Sequence, residues 1–96
     1  MSRLKSCVPR VFKYLQSLGK GETVAYGAIA KRFGLKNPRH VGWILRQNDR
    51  PDAVPCFKVV RADGTLAQGY KFGGLAAQKK RLVAEGIKFS NDKIIR

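Results

Sequence analysis

Acidic side chains are scarce in this sequence. Six Asp and Glu stand against twenty Lys and Arg, which leaves a net charge of +14. Histidine occurs once, as His40, and cysteine twice, as Cys7 and Cys56. One histidine and two distant cysteines make no zinc-ligand spacing, so no metal is expected. A single isolated bridge would be weak grounds for secretion, and both thiols are expected free. No apolar run approaches the length of a membrane span, and the first residues do not resemble a signal peptide. A cytoplasmic location (nucleoid-associated in a prokaryote) or a nuclear one is the expectation. Repeats and low-complexity linkers are missing too. The 96 residues, 44% hydrophobic, are enough for one modest core and too apolar for disorder. A single domain over residues 1–96, without an additional N-terminal domain, is expected.

The charge is spread from Arg3 to Arg96 rather than gathered in a tail. Such a field attracts polyanions, and nucleic acid is the leading partner. A ribosomal or RNA-coating protein and an anionic membrane surface are the alternatives that charge alone leaves open.

Local patterns predict a mostly helical chain. Ser6 can cap a first helix over 7–18, with Pro9 in its first turn and Val8, Val11, Phe12, Leu15 and Leu18 on one face. A short helix from Tyr26 to Phe33 should turn Ile29, Ala30 and Phe33 inward and end at Gly34 in a left-handed cap. Asn37 then caps a third helix with Pro38 at its first position, running to Gln47. Helix, short glycine turn, helix is the helix-turn-helix pattern. On the third helix Val41, Ile44 and Leu45 share one face, while Arg39, Gly42, Trp43 and Arg46 lie opposite. That second face suits a nucleic-acid reader, being positive, sterically open and furnished with one stacking group. Solvated arginines, with Trp43 packed under a neighbouring loop, explain the same pattern.

The stretch CFKVVRADGTLAQGY (56–70) alternates apolar and polar residues about Asp63-Gly64 and predicts a hairpin whose tip is a basic wing carrying Lys58 and Arg61. A last helix over 73–86 should face Leu75, Leu82 and Val83 inward and end at Gly86. The tail IKFSNDKII should form a short hairpin. The fold class expected is α+β: a small winged-helix-like helix-turn-helix domain, mostly helical with a short β-hairpin.

Four segments in order, GETVAYGAIA, PRHVGWILRQND, VPCFKVVRADGTL and GYKFGGLAAQKKRLVAEG, make the chain resemble the DNA-binding, active-site domain of the O6-alkylguanine-DNA alkyltransferase family over about residues 6–90. The resemblance implies binding of double-stranded DNA from the minor-groove side, as a monomer and without cofactor, and rotation of an O6-alkylguanine out of the stack. Arg39 matches the arginine finger that fills the vacated gap. Tyr26 matches the tyrosine that presses on the target phosphate. Gly42 matches a small residue at the closest approach, and Asn48 an asparagine tying the recognition helix to the active-site turn. Cys56 matches the alkyl acceptor, which attacks the alkyl carbon in one step and keeps it as a thioether. Trp43, Arg46, Lys58 and His40 complete the DNA-facing set, with His40 assigned to phosphate or solvent. Val54 and Pro55 of the active-site turn, with Tyr70 and Phe72, are assigned to the base pocket, plain core packing being the alternative for the two aromatics, and the carbonyls of Val54 and Cys56 are expected to read the base amino group.

The chain departs from the family at one critical place. The family reads Pro-Cys-His-Arg where this chain reads Pro-Cys-Phe-Lys. Glu85 stands where the family's histidine-orienting glutamate would be, but Phe57 cannot accept a proton. The cations Lys58, Arg39 and Arg61 are the expected substitutes that lower the thiol pKa. Three readings follow. One is a single-turnover methylated-DNA–protein-cysteine methyltransferase acting through Cys56. Another is a non-catalytic alkyltransferase-like lesion sensor that recruits an excision-repair partner. The third is a basic winged-helix DNA binder without lesion preference. Cys7 is expected to be a buried bystander near a helix start.

Overall fold

The computed structural model describes residues 2–66 and 70–95. Helix α1, Ser2–Gln16, begins earlier than a Ser6 cap implies, so Ser6 and Pro9 both lie inside it. Pro9 offers no N–H to the carbonyl one turn back, yet the apolar stripe stays in register. Leu4, Cys7, Val11 and Leu15 are all buried, whereas Val8, Phe12 and Leu18 are half-buried against the same core.

Helices α2, Tyr26–Arg32, and α3, Arg39–Arg46, form the helix-turn-helix. The stop between them is a Schellman cap: Gly34 has φ +68, Leu35 N–H donates to Ala30 O at 2.8 Å and Gly34 N–H to Lys31 O at 3.4 Å. Asn37 Oδ1 accepts the Arg39 N–H at 2.9 Å, satisfying one orphan donor at the start of α3. Ile29, Ala30, Val41 and Ile44 are buried between the two helices and α1.

The predicted hairpin over 56–70 is replaced by a different pairing. Cys56–Lys58 form a single 3-10 turn after Pro55, which breaks the alternation. Strand β2, Val59–Val60, pairs in parallel with β1, Val24–Ala25, at the entrance to α2. Both valines are fully buried, as befits a parallel pair covered on both faces. Asp63-Gly64 does make a tight turn, with Gly64 at φ +89 and Arg61 N–H bonded to Thr65 O at 2.9 Å. Its return limb contributes one bridge, Thr65 to Lys93, rather than a ladder, and then reaches residues 67–69, outside the described segments.

Helix α4, Gly74–Ala84, ends in the same cap as α2: Gly86 N–H reaches Val83 O and Ile87 N–H reaches Leu82 O. Its inward face differs from expectation. Leu82 is buried, but Leu75 and Val83 are exposed, and Gln78 takes the buried place one turn before Leu82. The predicted tail hairpin is present as β3, Phe89–Ser90, and β4, Lys93–Ile94. Asn91 and Asp92, at φ 51 and 63, supply the two left-handed residues of its turn. The whole is a mostly helical α+β domain. Among the described residues no helix is long and apolar enough to cross a membrane.

The segment after Pro55 separates two cores. Cys56 and Val59 belong to the large cluster under α1, α2 and α3. Phe57 and Val60 belong to a smaller one with Leu82 and Ile87. Adjacent residues thus serve opposite sides, and the thiol and the Phe57 ring are sorted into different clusters.

Candidate functional site

The turn carrying Cys56 is held from four directions. Pro55, at φ −80 and ψ 67, is the centre of an inverse γ-turn, closed by Cys56 N–H to Val54 O at 2.8 Å. Asn48, just beyond the end of α3, donates through Nδ2 to Val54 O at 2.9 Å and to Cys56 Sγ at 3.4 Å, while its Oδ1 accepts the Arg50 N–H. From α1, Gln16 Nε2 donates to Ala53 O at 3.0 Å. From α4, the buried Gln78 Nε2 donates to the carbonyls of Phe57 and Val59 at 2.9 and 3.2 Å. Asn48, Gln16 and Gln78 thus bond the turn from three sides, which is how a side chain is held on a rigid mount.

Above the turn lies a cleft lined by Tyr26, Gly42, Leu45, Arg46, Cys56, Tyr70, Lys71 and Gln78. Gly42, Leu45 and Arg46 recur at helical spacing, so one stripe of α3 forms a cleft wall. A Cβ at Gly42 would meet no protein atom within 4 Å, so this part of α3 is open to an incoming surface. Leu45, expected to face the core with Val41 and Ile44, is half-buried at the cleft edge. Tyr70 lines the cleft, and Phe72 stands edge-on to it, ring centroids 5.8 Å apart. Arg39 and His40 are exposed at the start of α3, and Trp43 is half-buried against the main core.

Burial raises the Cys56 thiol above its ordinary pKa, against the Asn48 hydrogen bond, the Cys56 backbone amide and the charges of Arg81 and Lys71, all of which favour the thiolate. Burial also raises Tyr26, helped by Cys56 and opposed by Arg61 and Arg46. Both groups are therefore protonated at neutral pH, and Tyr26 is a competent hydrogen-bond donor in the cleft.

Several expectations need correction. Lys58 is not on a DNA-facing wing. It is 4% exposed, and its ammonium donates to Leu18 O and Gly19 O at 3.4 and 2.7 Å and pairs with Glu85 at 3.2 Å. The 3-10 turn aims it back at the end of α1. Glu85, whose Oε1 also accepts the Gly21 N–H at 3.0 Å, is thereby a clamp on the α1–β1 loop and is engaged by Lys58. The Val54 carbonyl already accepts two donors, so neither lone pair is free to read a base. The cations that favour the thiolate are Arg81 and Lys71, not Lys58, Arg39 and Arg61. Cys7 lies well inside α1 and is buried.

Sequence reasoning missed three cleft-side residues. Gln78 had a usable signal, being a polar residue one turn from Leu82 on the inward face of α4. Lys71 had none; its ammonium donates to the last carbonyl of α3, Arg46 O, at 3.1 Å and to Asn48 O, two residues on, at 3.0 Å. Arg81 looks like any surface charge in sequence, yet its guanidinium lies 4.7 Å from the Phe57 ring centroid.

Comparison with known proteins places this arrangement. Residues 7–87 match the model of the 6-O-methylguanine DNA methyltransferase, DNA binding domain. A methylated-DNA–protein-cysteine methyltransferase of Pyrobaculum aerophilum is 40% identical over 73 residues, 76% of this chain and 47% of that protein. Mycobacterium tuberculosis OGT in complex with DNA superposes at TM-score 0.73 with 37% identity, over 81% of this chain and 48% of that one. An S. pombe protein solved with damaged DNA containing O6-carboxymethylguanine superposes at TM-score 0.75 with 25% identity, over 94% of this chain and 82% of that one. The chain spans about half or less of the length of the curated methyltransferases it matches. With its cysteine turn, its helix-turn-helix and a match over residues 7–87, the chain belongs to the family of the 6-O-methylguanine DNA methyltransferase DNA-binding domain.

Proposed function

We propose that this protein repairs O6-alkylguanine in duplex DNA by transferring the alkyl group to Cys56. The observation that carries the reading is the thiol at the base of a cleft walled by α3, with Asn48 Nδ2 on its sulfur at 3.4 Å. In this reading α3 docks on the minor-groove side, and Arg39, exposed at its start, enters the stack as the base leaves it. Gly42 leaves room for the backbone, Arg46 and His40 face phosphate, and Tyr70 walls the flipped base.

The chemistry is a displacement at carbon. The Cys56 sulfur, as thiolate, forms a bond to the alkyl carbon while the bond from that carbon to guanine O6 breaks. The electron pair leaves with the guanine, which takes up a proton, and the thioether is permanent. Asn48 donates to the sulfur and so favours the thiolate. Tyr26, held protonated, can donate to the leaving base. Phe57 supplies no base, so a small thiolate fraction limits the rate. Incubation with a duplex containing one O6-methylguanine, followed by intact mass and peptide mapping, tests the proposal. The expected result is one added methylene on Cys56, absent in Cys56→Ala.

A second reading is a lesion sensor that binds O6-alkylguanine without removing the alkyl group and recruits an excision-repair partner. It is favoured by the S. pombe protein, matched over most of both chains, and by a thiol that burial holds protonated. Tight selective binding to the same duplex, with no adduct after prolonged incubation at alkaline pH, would establish it.

A further inference from the structure

Arg81 sits at a junction that neither surface solvation nor helix stability explains. Its Nη2 pairs with Asp52 Oδ1 at 3.0 Å, on the loop before the Cys56 turn. Its Nη1 approaches Tyr70 Oη at 3.4 Å, on a cleft wall. Its guanidinium carbon lies 4.7 Å from the centroid of Phe57, the residue after Cys56. One side chain on α4 thus bridges the loop before the acceptor, the residue after it and the aromatic wall beside it. We propose that Arg81, seated on the Phe57 ring, is a positioning residue that fixes Tyr70 and places a permanent cation beside the alkyl-acceptor cleft.

Phe57 acquires a purpose in this arrangement. A phenyl face attracts a guanidinium by about 0.5–2 kcal/mol, depending on solvation, and holds its plane in one orientation. A base that must be ionised in concert with the thiol is replaced by a charge that is always present, because an arginine does not lose its proton in this pH range. The Asp52 carboxylate is 95% exposed and therefore well screened, whereas the Arg81 side chain is only 33% exposed. The other ionisable groups at the cleft are Tyr26 from α2, Arg46 from α3, and Tyr70 and Lys71 from the stretch before α4. The Lys71 ammonium is tied to the carbonyls of Arg46 and Asn48, so Arg81 is the cation whose removal leaves that backbone mount intact. Its charge favours the Cys56 thiolate against burial.

The assignment rests on Cys56 as the acceptor, but its test needs no DNA. The rate of Cys56 carboxamidomethylation by iodoacetamide, resolved from Cys7 by peptide mapping, is followed against pH for the unaltered protein, Arg81→Gln and Arg81→Lys. Arg81→Gln should move the midpoint upward by about half a pH unit or more and slow the reaction at neutral pH severalfold. Arg81→Lys should stay near the unaltered profile, because it keeps the charge. Thermal melts of the variants confirm that each is folded. Superimposable profiles for Arg81→Gln and the unaltered protein would overturn the proposal, as would equal displacement by Gln and Lys, which would make the role purely structural. Failure of methyl transfer from DNA with the pH profiles as expected would instead count against the repair reading alone.

Discussion

The proposed acceptor, Cys56, is governed by a contest between burial and a few donors and cations. Burial wins, so the folded protein holds the Cys56 proton more tightly than the unfolded chain does. The stability linked to that proton is present at neutral pH and is lost as pH rises through the folded thiol's raised value. Reactivity runs the other way, because the thiolate is the nucleophile. The rate of alkyl transfer should climb from neutral pH to beyond the ordinary thiol range, and a flat profile in single-turnover assays would refute thiol ionisation as the limiting event. Asn48→Ala removes a buried donor from both Val54 O and Sγ and orphans the Arg50 N–H. It should cost about 1–3 kcal/mol in denaturant melts and move the iodoacetamide midpoint upward. Lys58→Met tests the clamp. Leu18 O, Gly19 O and Glu85 lose their shared donor, so stability should fall by about 1–3 kcal/mol. A lysine contacting phosphate would instead lower the salt slope of DNA binding by about one, and here that slope should be unchanged.

At the scale of elements, the legible parts were those set by local chemistry. The α2–α3 turn follows from Gly34 in a left-handed cap and Asn37 before α3, and the tail hairpin from Asn91-Asp92. What could not be read was decided by distant partners. Val59 and Val60 pair with a strand formed more than thirty residues earlier, and no local alternation signals a parallel pair. Helix α4 turns Gln78 rather than Leu75 inward because two backbone carbonyls of the Cys56 turn need donors. Lys58 was misplaced for the same reason, as its charge is consumed by carbonyls at the end of α1. The cleft itself was half legible. The resemblance pointed to Cys56 as acceptor and Tyr70 as a pocket wall, but it gave Tyr26 and Gly42 to phosphate and to the DNA approach, whereas both line the cleft, and Lys71 and Arg81 reach the site only through tertiary packing. Helix α3 offers a test in which stability and binding part company. Gly42 is helical and its missing Cβ would meet nothing, so Gly42→Ala should stabilise the fold by about 0.5–1 kcal/mol. Gly42→Leu should remain folded yet lose duplex binding, since in the proposed docking its side chain would extend into the space taken by DNA. Undiminished duplex affinity in Gly42→Leu would place the interface elsewhere.

For the whole molecule, the +14 charge and the cleft make separable contributions to binding. Lys and Arg that neutralise phosphates release counterions, and they do so on any duplex. In the proposed repair the cleft acts only on a base that has left the stack, and weakened pairing lowers the cost of that step for a damaged guanine. Raising salt from 50 to 200 mM should therefore reduce affinity for undamaged and lesion-bearing duplexes in parallel, by about a thousandfold if six phosphates are engaged. The ratio between the two duplexes should hold nearly constant, because cleft contacts are short-ranged and shielded from the ion atmosphere. Arg39→Ala should do the reverse, shrinking the ratio while leaving most of the salt slope in place. Fluorescence anisotropy with matched duplexes measures both quantities. A ratio that collapsed with salt would mean that lesion preference is carried by phosphate contacts at a distorted backbone and not by the cleft at Cys56.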